Sequence, residues 1–339
     1  MPKRALRTFL LFAAANCFVF VIIGFVDMLT GRQSRRDQQV SVLGYEAKND
    51  TRSPIQEYEV ERFMTERQKE VEERCEEVLT PEEMHQPPNS KEFLISDKYQ
   101  LVWCNVFKAA SSTWLNNFLL MYDLKIKKVL TRNSPVEQAR KFYPRPSVEV
   151  LDSCLTQYNY TSFIIVREPF QRLISAFRDK LETDRNEFYK SLRCQIKLNF
   201  GDGRRTGKLR GWSRDCLPSF SEFIEYLLDE EAHGRSPNEH WAPYYRFCSP
   251  CQVHFTYILH FETLTQDEAF LLKKVPGLSD VLKPQKLHNS HTNYDNVIHN
   301  YFRQLTRTQL QGLLDIYSKD FTIFGYKHEK YFDYVTSSS

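Results

Sequence analysis

The sequence predicts an α/β fold: a mainly parallel sheet flanked by helices, preceded by a single N-terminal transmembrane helix and a stem. Three observations carry that expectation. Two segments, 101–122 and 163–181, each read as an apolar strand, a short polar turn and an amphipathic helix. A further apolar run at 253–261 supplies a third strand, and the stretch from Thr306 to about Tyr317 a late helix. Strands that alternate with helices favour parallel pairing, because each crossover helix covers the sheet. Finally, 41% apolar and 26% charged residues in a chain of 339 allow one sizeable core and exclude wholesale disorder.

Composition also narrows the function. Lys and Arg number 46 against 43 Asp and Glu, a formal charge of +3, so the strongly basic profile of a dedicated nucleic-acid binder is absent. With only 11 glycines, a low-complexity or collagen-like architecture is excluded too.

From the N-terminus, Thr8 to Val26 form 19 positions without a charge. As a helix rising about 1.5 Å per residue, that run reaches roughly 28 Å, close to the thickness of a bilayer's hydrocarbon core. Lys3, Arg4 and Arg7 precede it, and the positive-inside tendency keeps that end cytosolic. Arg32, Arg35 and Arg36 follow soon after and weaken the asymmetry. A cleavable signal peptide is the rival reading, but its apolar region is about 7–15 residues long and ends at a small-x-small site. No convincing site follows Val26. The reading is an uncleaved signal anchor: cytosolic tail 1–7, transmembrane anchor 8–26, stem 27–89 and lumenal domain 90–334.

Sequons at Asn49 and Asn159 agree with a lumenal compartment. Seven cysteines lie outside the anchor: Cys75, Cys104, Cys154, Cys194, Cys216, Cys248 and Cys251. Some should pair in an oxidising lumen, and an odd number leaves at least one free or bonded to another chain. Cys248-x-x-Cys251 has zinc-like spacing, but no second pair accompanies it, which disfavours zinc. Between Glu57 and Leu79, charge is dense and Val60, Phe63, Val71, Cys75 and Val78 recur at roughly helical spacing. That pattern predicts an amphipathic helix laid on the domain, broken by Thr80-Pro81 and Pro87-Pro88.

The first strand–turn–helix segment starts with Leu101 to Phe107, a short apolar run suited to a buried strand. Lys108 to Ser112 make a small polar turn, and Trp114, Phe118, Met121 and Tyr122 mark a helical face. A strand ending in a short loop that opens a helix points free N–H groups at whatever lies there, and the helix dipole favours an anion. Lys108 adds a mobile cation, and the hydroxyls of Ser111, Ser112 and Thr113 add donors to phosphate or sulfate oxygens. The plain alternative is an ordinary helix start capped by Ser111 or Ser112, with Lys108 merely exposed.

In the second segment, Phe163 to Val166 form the strand and Arg167-Glu168 the turn. Pro169 suits the first helical position, while Phe170, Leu173, Ile174, Phe177 and Leu181 mark the buried face. A strand-end guanidinium binds phosphate bidentately, and Ser175 lies two helical turns further on. Two such anion sites fit a dinucleotide-like donor carrying separated anionic groups. Otherwise Arg167 and Glu168 form a surface ion pair, worth about 0–1 kcal/mol.

Together the two segments resemble the phosphosulfate-binding and 3′-phosphate-binding motifs of sulfotransferases. The wording VREPFQRLISAFRDK (166–180) is similar to that of the Golgi carbohydrate sulfotransferases that include the chondroitin and dermatan 4-O-sulfotransferases and the HNK-1 sulfotransferase. Asn238-Glu239-His240-Trp241-Ala242-Pro243, Cys248-Ser249-Pro250-Cys251, Phe261-Glu262-Thr263-Leu264 and the stretch Asp320 to Tyr326 follow in the family's order. The resemblance covers roughly Glu57 to Phe332. It implies a type II Golgi membrane protein with a P-loop-like α/β fold that uses 3′-phosphoadenosine 5′-phosphosulfate and no catalytic metal. By position, Lys108, Ala109, Ala110, Ser111, Ser112 and Thr113 would cradle the 5′-phosphosulfate. Arg167 and Ser175 would hold the 3′-phosphate, with Glu168, Pro169, Phe170 and Arg172 of the same block counted in the nucleotide site. Phe107 stands where the family usually has proline, and Ala110 where glycine is common. Because alanine restricts φ, the turn is expected to use ordinary helical or extended dihedrals at Ala110.

Sulfuryl transfer depends on positioning and charge neutralisation. Lys108 is the candidate to stabilise charge on the bridging oxygen, assisted by the N–H groups of Ser111 and Ser112. His240 is the first candidate for the base, since imidazole titrates near neutrality; a core histidine with satisfied hydrogen bonds is the competing reading. Glu168 is a weaker alternative, and His288 and His291 have no supporting argument. Arg204, Arg205, Lys208, Arg210 and Trp212 form a basic loop that could follow an anionic glycan or proteoglycan acceptor, with Trp212 stacking on a sugar, unless the loop is simply solvated. A GalNAc 4-O acceptor in chondroitin or dermatan is the family-level expectation; homodimerisation stays open. The rivals are a P-loop kinase, which needs G-x-x-x-x-G-K-[ST] and finds no glycine here, and a non-catalytic glycan-binding protein that kept the fold.

Overall fold

Four strands lie side by side in chain order: β1 (Phe93–Ser96), β2 (Leu101–Cys104), β3 (Thr161–Val166) and β4 (Tyr257–His260). β2, β3 and β4 run parallel, with Cys104 beside Ile164 and Val166 beside His260. β1 pairs antiparallel with β2, Phe93 opposite Cys104. The sheet is therefore mixed, a parallel core of three strands with an antiparallel edge that the sequence reading did not foresee. The computed structural model describes residues 54–122, 134–184, 186–201, 216–284 and 294–336. The anchor at 8–26, Asn49, the basic loop carrying Arg204 to Trp212, His288 and His291 lie outside the described residues. Among the described residues, no helix is long and apolar enough to cross a membrane.

The longer helices are α1 (Pro54–Val78), α2 (Ser111–Met121), α3 (Pro135–Phe142), α4 (Pro169–Phe177), α5 (Glu187–Phe200), α6 (Phe220–Ala232), α7 (Leu264–Lys274), α8 (Tyr294–Phe302) and α9 (Arg307–Ile323). Every residue of β2, and every residue of β3 after Thr161, is buried. Successive strand side chains point to opposite faces, so both faces of the sheet are covered. Against it, Trp103 stacks on Phe118 at 5.5 Å and Trp114 meets Phe163 at 4.5 Å. A second core gathers α4, α5, α6, α8 and α9 around Phe170, which contacts Phe302, Phe321 and Tyr331. Each fully buried aromatic of this kind contributes about 1.5–3 kcal/mol.

β2 and β4 are shorter than expected, while β3 starts two residues earlier, at Thr161. β2 ends at Cys104, although the N–H of Asn105 still donates to the carbonyl of Glu92 (3.1 Å) in the register of the β1–β2 pair. β4 begins only at Tyr257. Just ahead of it, the hydroxyls of Ser162 and Thr256 each accept the other's backbone N–H, at 2.9 and 3.0 Å, replacing ladder bonds with side-chain ones. α9 is longer than expected: Thr306 caps it, with Gln309 closing a capping box.

α1 buries Met64, Val71 and Cys75 while Phe63 stays 47% exposed. The buried stripe thus runs one position off the expected Phe63. Arg67 reaches from α1 to Asp267 (2.6 Å) and to the carbonyl of Ile258 (3.2 Å), and Cys75 is bonded to Cys251. Two further disulfides join Cys104 to Cys248 and Cys194 to Cys216, and Cys154 is free and buried. Cys248 and Cys251, the pair at zinc-like spacing, thus belong to two different disulfides.

Candidate functional site

Parallel neighbours open their C-terminal ends at the same edge of a sheet, so the turns after β2 and β3 lie together. The guanidinium of Arg167 donates through Nη1 to the carbonyl of Lys108 at 3.5 Å. The two cationic segments picked out in the sequence are thus adjacent in the fold.

The first turn is strained. Lys108 has φ +69° and Ala110 φ +59°. The expectation of ordinary dihedrals at Ala110 is overturned: the alanine sits in the left-handed region without glycine's freedom, at about 1–2 kcal/mol per residue. The frame around it enforces this geometry, for Ala109 is fully buried and Phe107 nearly so. Positive φ on either side of Ala109 turns successive N–H groups to one side, the backbone arrangement of an anion-binding concavity. Thr113 and Trp114 donate to the carbonyl of Ala110 (both 3.1 Å), whereas the N–H groups of Ser111 and Ser112 find no acceptor among the described residues. Ser111 is buried, Thr113 half-buried and Ser112 exposed.

Lys108 is not merely exposed. Its Nζ lies 3.1 Å from Asp179, which also meets Lys180 at 3.3 Å. Burial pulls the Lys108 pKa below the usual lysine value, Asp179 opposes that shift, and Lys180 and Arg167 add to it.

Arg167 is held on all sides. Tyr244 brackets its backbone, accepting from the N–H and donating to the carbonyl, each at 2.9 Å. The guanidinium lies over Phe261 (4.6 Å) and Tyr294 (5.2 Å), and Nη2 donates to the Tyr294 hydroxyl at 2.8 Å. Nε is buried and has no acceptor among the described residues. Such an orphaned charged donor costs free energy until an anion meets it, which is the chemistry a phosphate oxygen supplies.

Glu168 forms no ion pair with Arg167. Its carboxylate caps α4, accepting from the Gln171 N–H (2.7 Å) and the Tyr331 hydroxyl (2.9 Å). Burial pushes its pKa up to about 7. Pro169 and Phe170 are buried in the helical core, and Ser175 is half-buried on α4 with no hydrogen bond to Arg167. Arg172 departs most from its expected place. It is 1% exposed, lies 4.5 Å over the Tyr244 ring, and donates to the carbonyls of Phe107 (3.5 Å), His240 (3.3 Å) and Ala242. Its donors hold loops together.

His240 is buried, its ring 4.5 Å from that of Phe107. Nδ1 meets the Oδ1 of Asn238 and the hydroxyl of Tyr189, both at 2.9 Å. With the Nδ1 proton donated to Asn238, Nε2 carries the lone pair. Burial first, then Lys180 and Lys108, pushes the pKa down to about 3, so the ring is neutral at physiological pH. His240 is thus buried and hydrogen-bonded, as the core-histidine reading expects, and lies within the electrostatic reach of Lys108.

Sequence reasoning assigned no role to Asp179, Lys180, Tyr189, Tyr244 or Tyr294. Asp179 and Lys180 close the VREPFQRLISAFRDK block, and Tyr244 directly follows the Asn238–Pro243 block, so proximity to those blocks was a usable signal; Tyr189 and Tyr294 carried none. Among the described residues, no group of His, Cys, Asp and Glu is arranged to hold a metal ion.

Two cationic turns at one edge of a parallel sheet define an α/β protein with a candidate anion site. The chain belongs to the Sulfotransferase family, which it matches over residues 91–327. Its similar relatives are carbohydrate sulfotransferases. Carbohydrate sulfotransferase 12 of Xenopus laevis is 31% identical over 258 residues, covering 69% of this chain and 59% of the relative. Carbohydrate sulfotransferase 11 of Rattus norvegicus is 27% identical over 261 residues, covering 75% and 70%, and carbohydrate sulfotransferase 14 of Danio rerio 29% identical over 250 residues, covering 69% and 61%. The chain thus spans only 59% of the length of the first of these. No solved structure matches it.

Proposed function

We propose that the chain transfers a sulfuryl group from 3′-phosphoadenosine 5′-phosphosulfate to a sugar hydroxyl of a glycan. The observation that carries this reading is the contact between Arg167 and the Lys108 carbonyl, which puts two anion-seeking turns within reach of one nucleotide. The orphaned Nε of Arg167 and the free N–H groups of Ser111 and Ser112 supply donors for the nucleotide's phosphates and phosphosulfate. Family membership and the names of the relatives support the same chemistry.

In this reading the acceptor oxygen attacks sulfur, the bond from sulfur to the bridging phosphate oxygen breaks, and 3′-phosphoadenosine 5′-phosphate leaves. Lys108 neutralises charge growing on that bridging oxygen. Nε2 of neutral His240 takes the acceptor's proton, its ring held by Asn238 and Tyr189. The donor's negative charge offsets Lys108 and Lys180, the cations that depress the His240 pKa, so bound donor makes the base stronger.

The finer assignment is the 4-O position of GalNAc in chondroitin or dermatan, with the basic loop at Arg204 to Trp212 following the polymer. The compartment is the Golgi lumen, reached through an anchor at 8–26, with sequons at Asn49 and Asn159. Terminal GalNAc or glucuronate is the alternative acceptor, and a non-catalytic glycan-binding role the alternative function. The test is incubation of the lumenal chain with radiolabelled donor and a panel of desulfated glycosaminoglycans, followed by mapping of product disaccharides. Labelled disaccharide sulfated at GalNAc 4-O is expected, with none from Lys108→Ala. Equal label from that variant would remove Lys108 from the reaction, and no label on any glycan would favour the binding role.

A further inference from the structure

α4 does not stop cleanly at Phe177. Residues 178–183 continue it as a wider turn of the π type, a distortion that often marks a functional position. This turn carries Asp179 to the mouth of the Lys108 turn. Asp179 meets Lys108 at 3.1 Å on one side and Lys180 at 3.3 Å on the other, and Lys180 is also bonded to Asp184 at 2.9 Å. Lys180 lies 5.1 Å over the ring of Tyr189, whose hydroxyl reaches His240. One carboxylate thus stands between the ammonium on the donor side and the chain of contacts that ends at the imidazole.

We propose that Asp179 is a positioning residue: it holds the Lys108 ammonium at the mouth of the anion-binding turn and separates it from the Lys180 ammonium. The proposal rests on the sulfuryl-transfer reading for its catalytic consequence, though not for the pairing itself. Lys108 has a left-handed backbone and a half-buried side chain, so its ammonium has few directions open to it. The charged groups acting on it are Asp179 from the π turn, Lys180 from the same turn and Arg167 from the end of β3. Without Asp179, Lys108 would face two cations in a partly desolvated site. Both repulsion and burial then favour loss of its proton, and a neutral amine cannot stabilise the leaving phosphate.

The test compares wild type, Asp179→Asn and Asp179→Glu by trace labelling with acetic anhydride across pH 6–11, reading Lys108 by mass spectrometry. An opposite charge at this distance is worth about 1–3 pH units, and the lower end applies because Asp179 is 45% exposed. Asp179→Asn should therefore titrate Lys108 about one unit lower, and Asp179→Glu should restore most of the shift. In transfer assays, the alkaline limb of kcat should move by the same amount in Asp179→Asn, with a smaller change in the donor's KM. An unmoved Lys108 titration overturns the proposal, and so does a moved titration with wild-type kcat. The labelling arm decides the pairing even if wild type transfers nothing, an outcome that would count against the transfer reading alone.

Discussion

Replacing Arg172 by Met separates the place the structure gives this arginine from the nucleotide-binding place its motif suggests. Met keeps the stem and removes the guanidinium, exposing three carbonyls to the loss of their donor: Phe107, His240 and Ala242. Two of the contacts, at 3.3 and 3.5 Å, are long, so the bond to Ala242 dominates; a charge-assisted bond of that kind contributes about 1.5–3 kcal/mol. The contact with the Tyr244 ring adds about 2 kcal/mol where water is excluded. Burying a cation costs part of this back, leaving a loss of about 3 kcal/mol, to be read by urea denaturation of the purified protein. Since the Phe107 carbonyl leads directly into the Lys108 turn, kcat should fall with the donor's KM changed by less than about threefold. Full stability together with a KM raised more than tenfold would refute the reasoning, showing that the guanidinium binds donor directly.

Two further outcomes follow from the site. Tyr294→Phe removes the acceptor of the Arg167 Nη2 bond; at about 1.4 kcal/mol, 3′-phosphoadenosine 5′-phosphate should bind on the order of tenfold more weakly by calorimetry, and unchanged affinity would mean that the nucleotide displaces this hydroxyl. Glu168 has its pKa raised to about 7 by burial, so its stabilising contribution is complete below the unfolded value near 4.5 and is lost as pH rises through 7. Glu168→Gln cannot ionise, and its stability relative to wild type should rise by about 3 kcal/mol between pH 4 and pH 8 in urea denaturation; identical pH slopes in the two proteins would refute this.

The local units of this fold were legible because their signals are local. The run LVWCNVF and the small polar turn after it mark β2 and the start of α2 without reference to anything distant, and Pro169 with the helical apolar face does the same for α4. β1 was not legible: FLIS is four residues long, and only its pairing with β2 makes it a strand. Ala110 was misjudged for a related reason. Intrinsic preference argues against left-handed alanine, but the choice is made by the buried Ala109 and by Arg172 holding Phe107, neither of which shows in the turn's own residues. The proline-to-phenylalanine departure at Phe107 becomes intelligible only through the ring of His240, 133 positions away in the chain and packed against it.

That dependence on distant partners has a physical consequence for the site. The N–H of Glu168 is held by Glu262 (3.0 Å) and its carboxylate by Tyr331 (2.9 Å). Tyr244 clasps Arg167, and Tyr244 is itself fixed by Asp320, which accepts the N–H groups of Tyr244 (2.7 Å) and Tyr245 (2.9 Å) from a fully buried position. None of these supporting groups needs to touch substrate, yet each leaves a buried polar atom unsatisfied if removed, at about 1–3 kcal/mol. A turn carrying two left-handed residues persists only when its surroundings over-determine it. For that turn the condition is met by the buried Ala109, by Arg172 donating to the Phe107 carbonyl and by Arg167 donating to the Lys108 carbonyl, while Glu262 just past β4, Tyr244 after α6 and Asp320 on α9 fix the Arg167-Glu168 turn in its place. The cationic edge is therefore a product of the whole domain's closure, and a fragment containing only the two motif segments should not reproduce it.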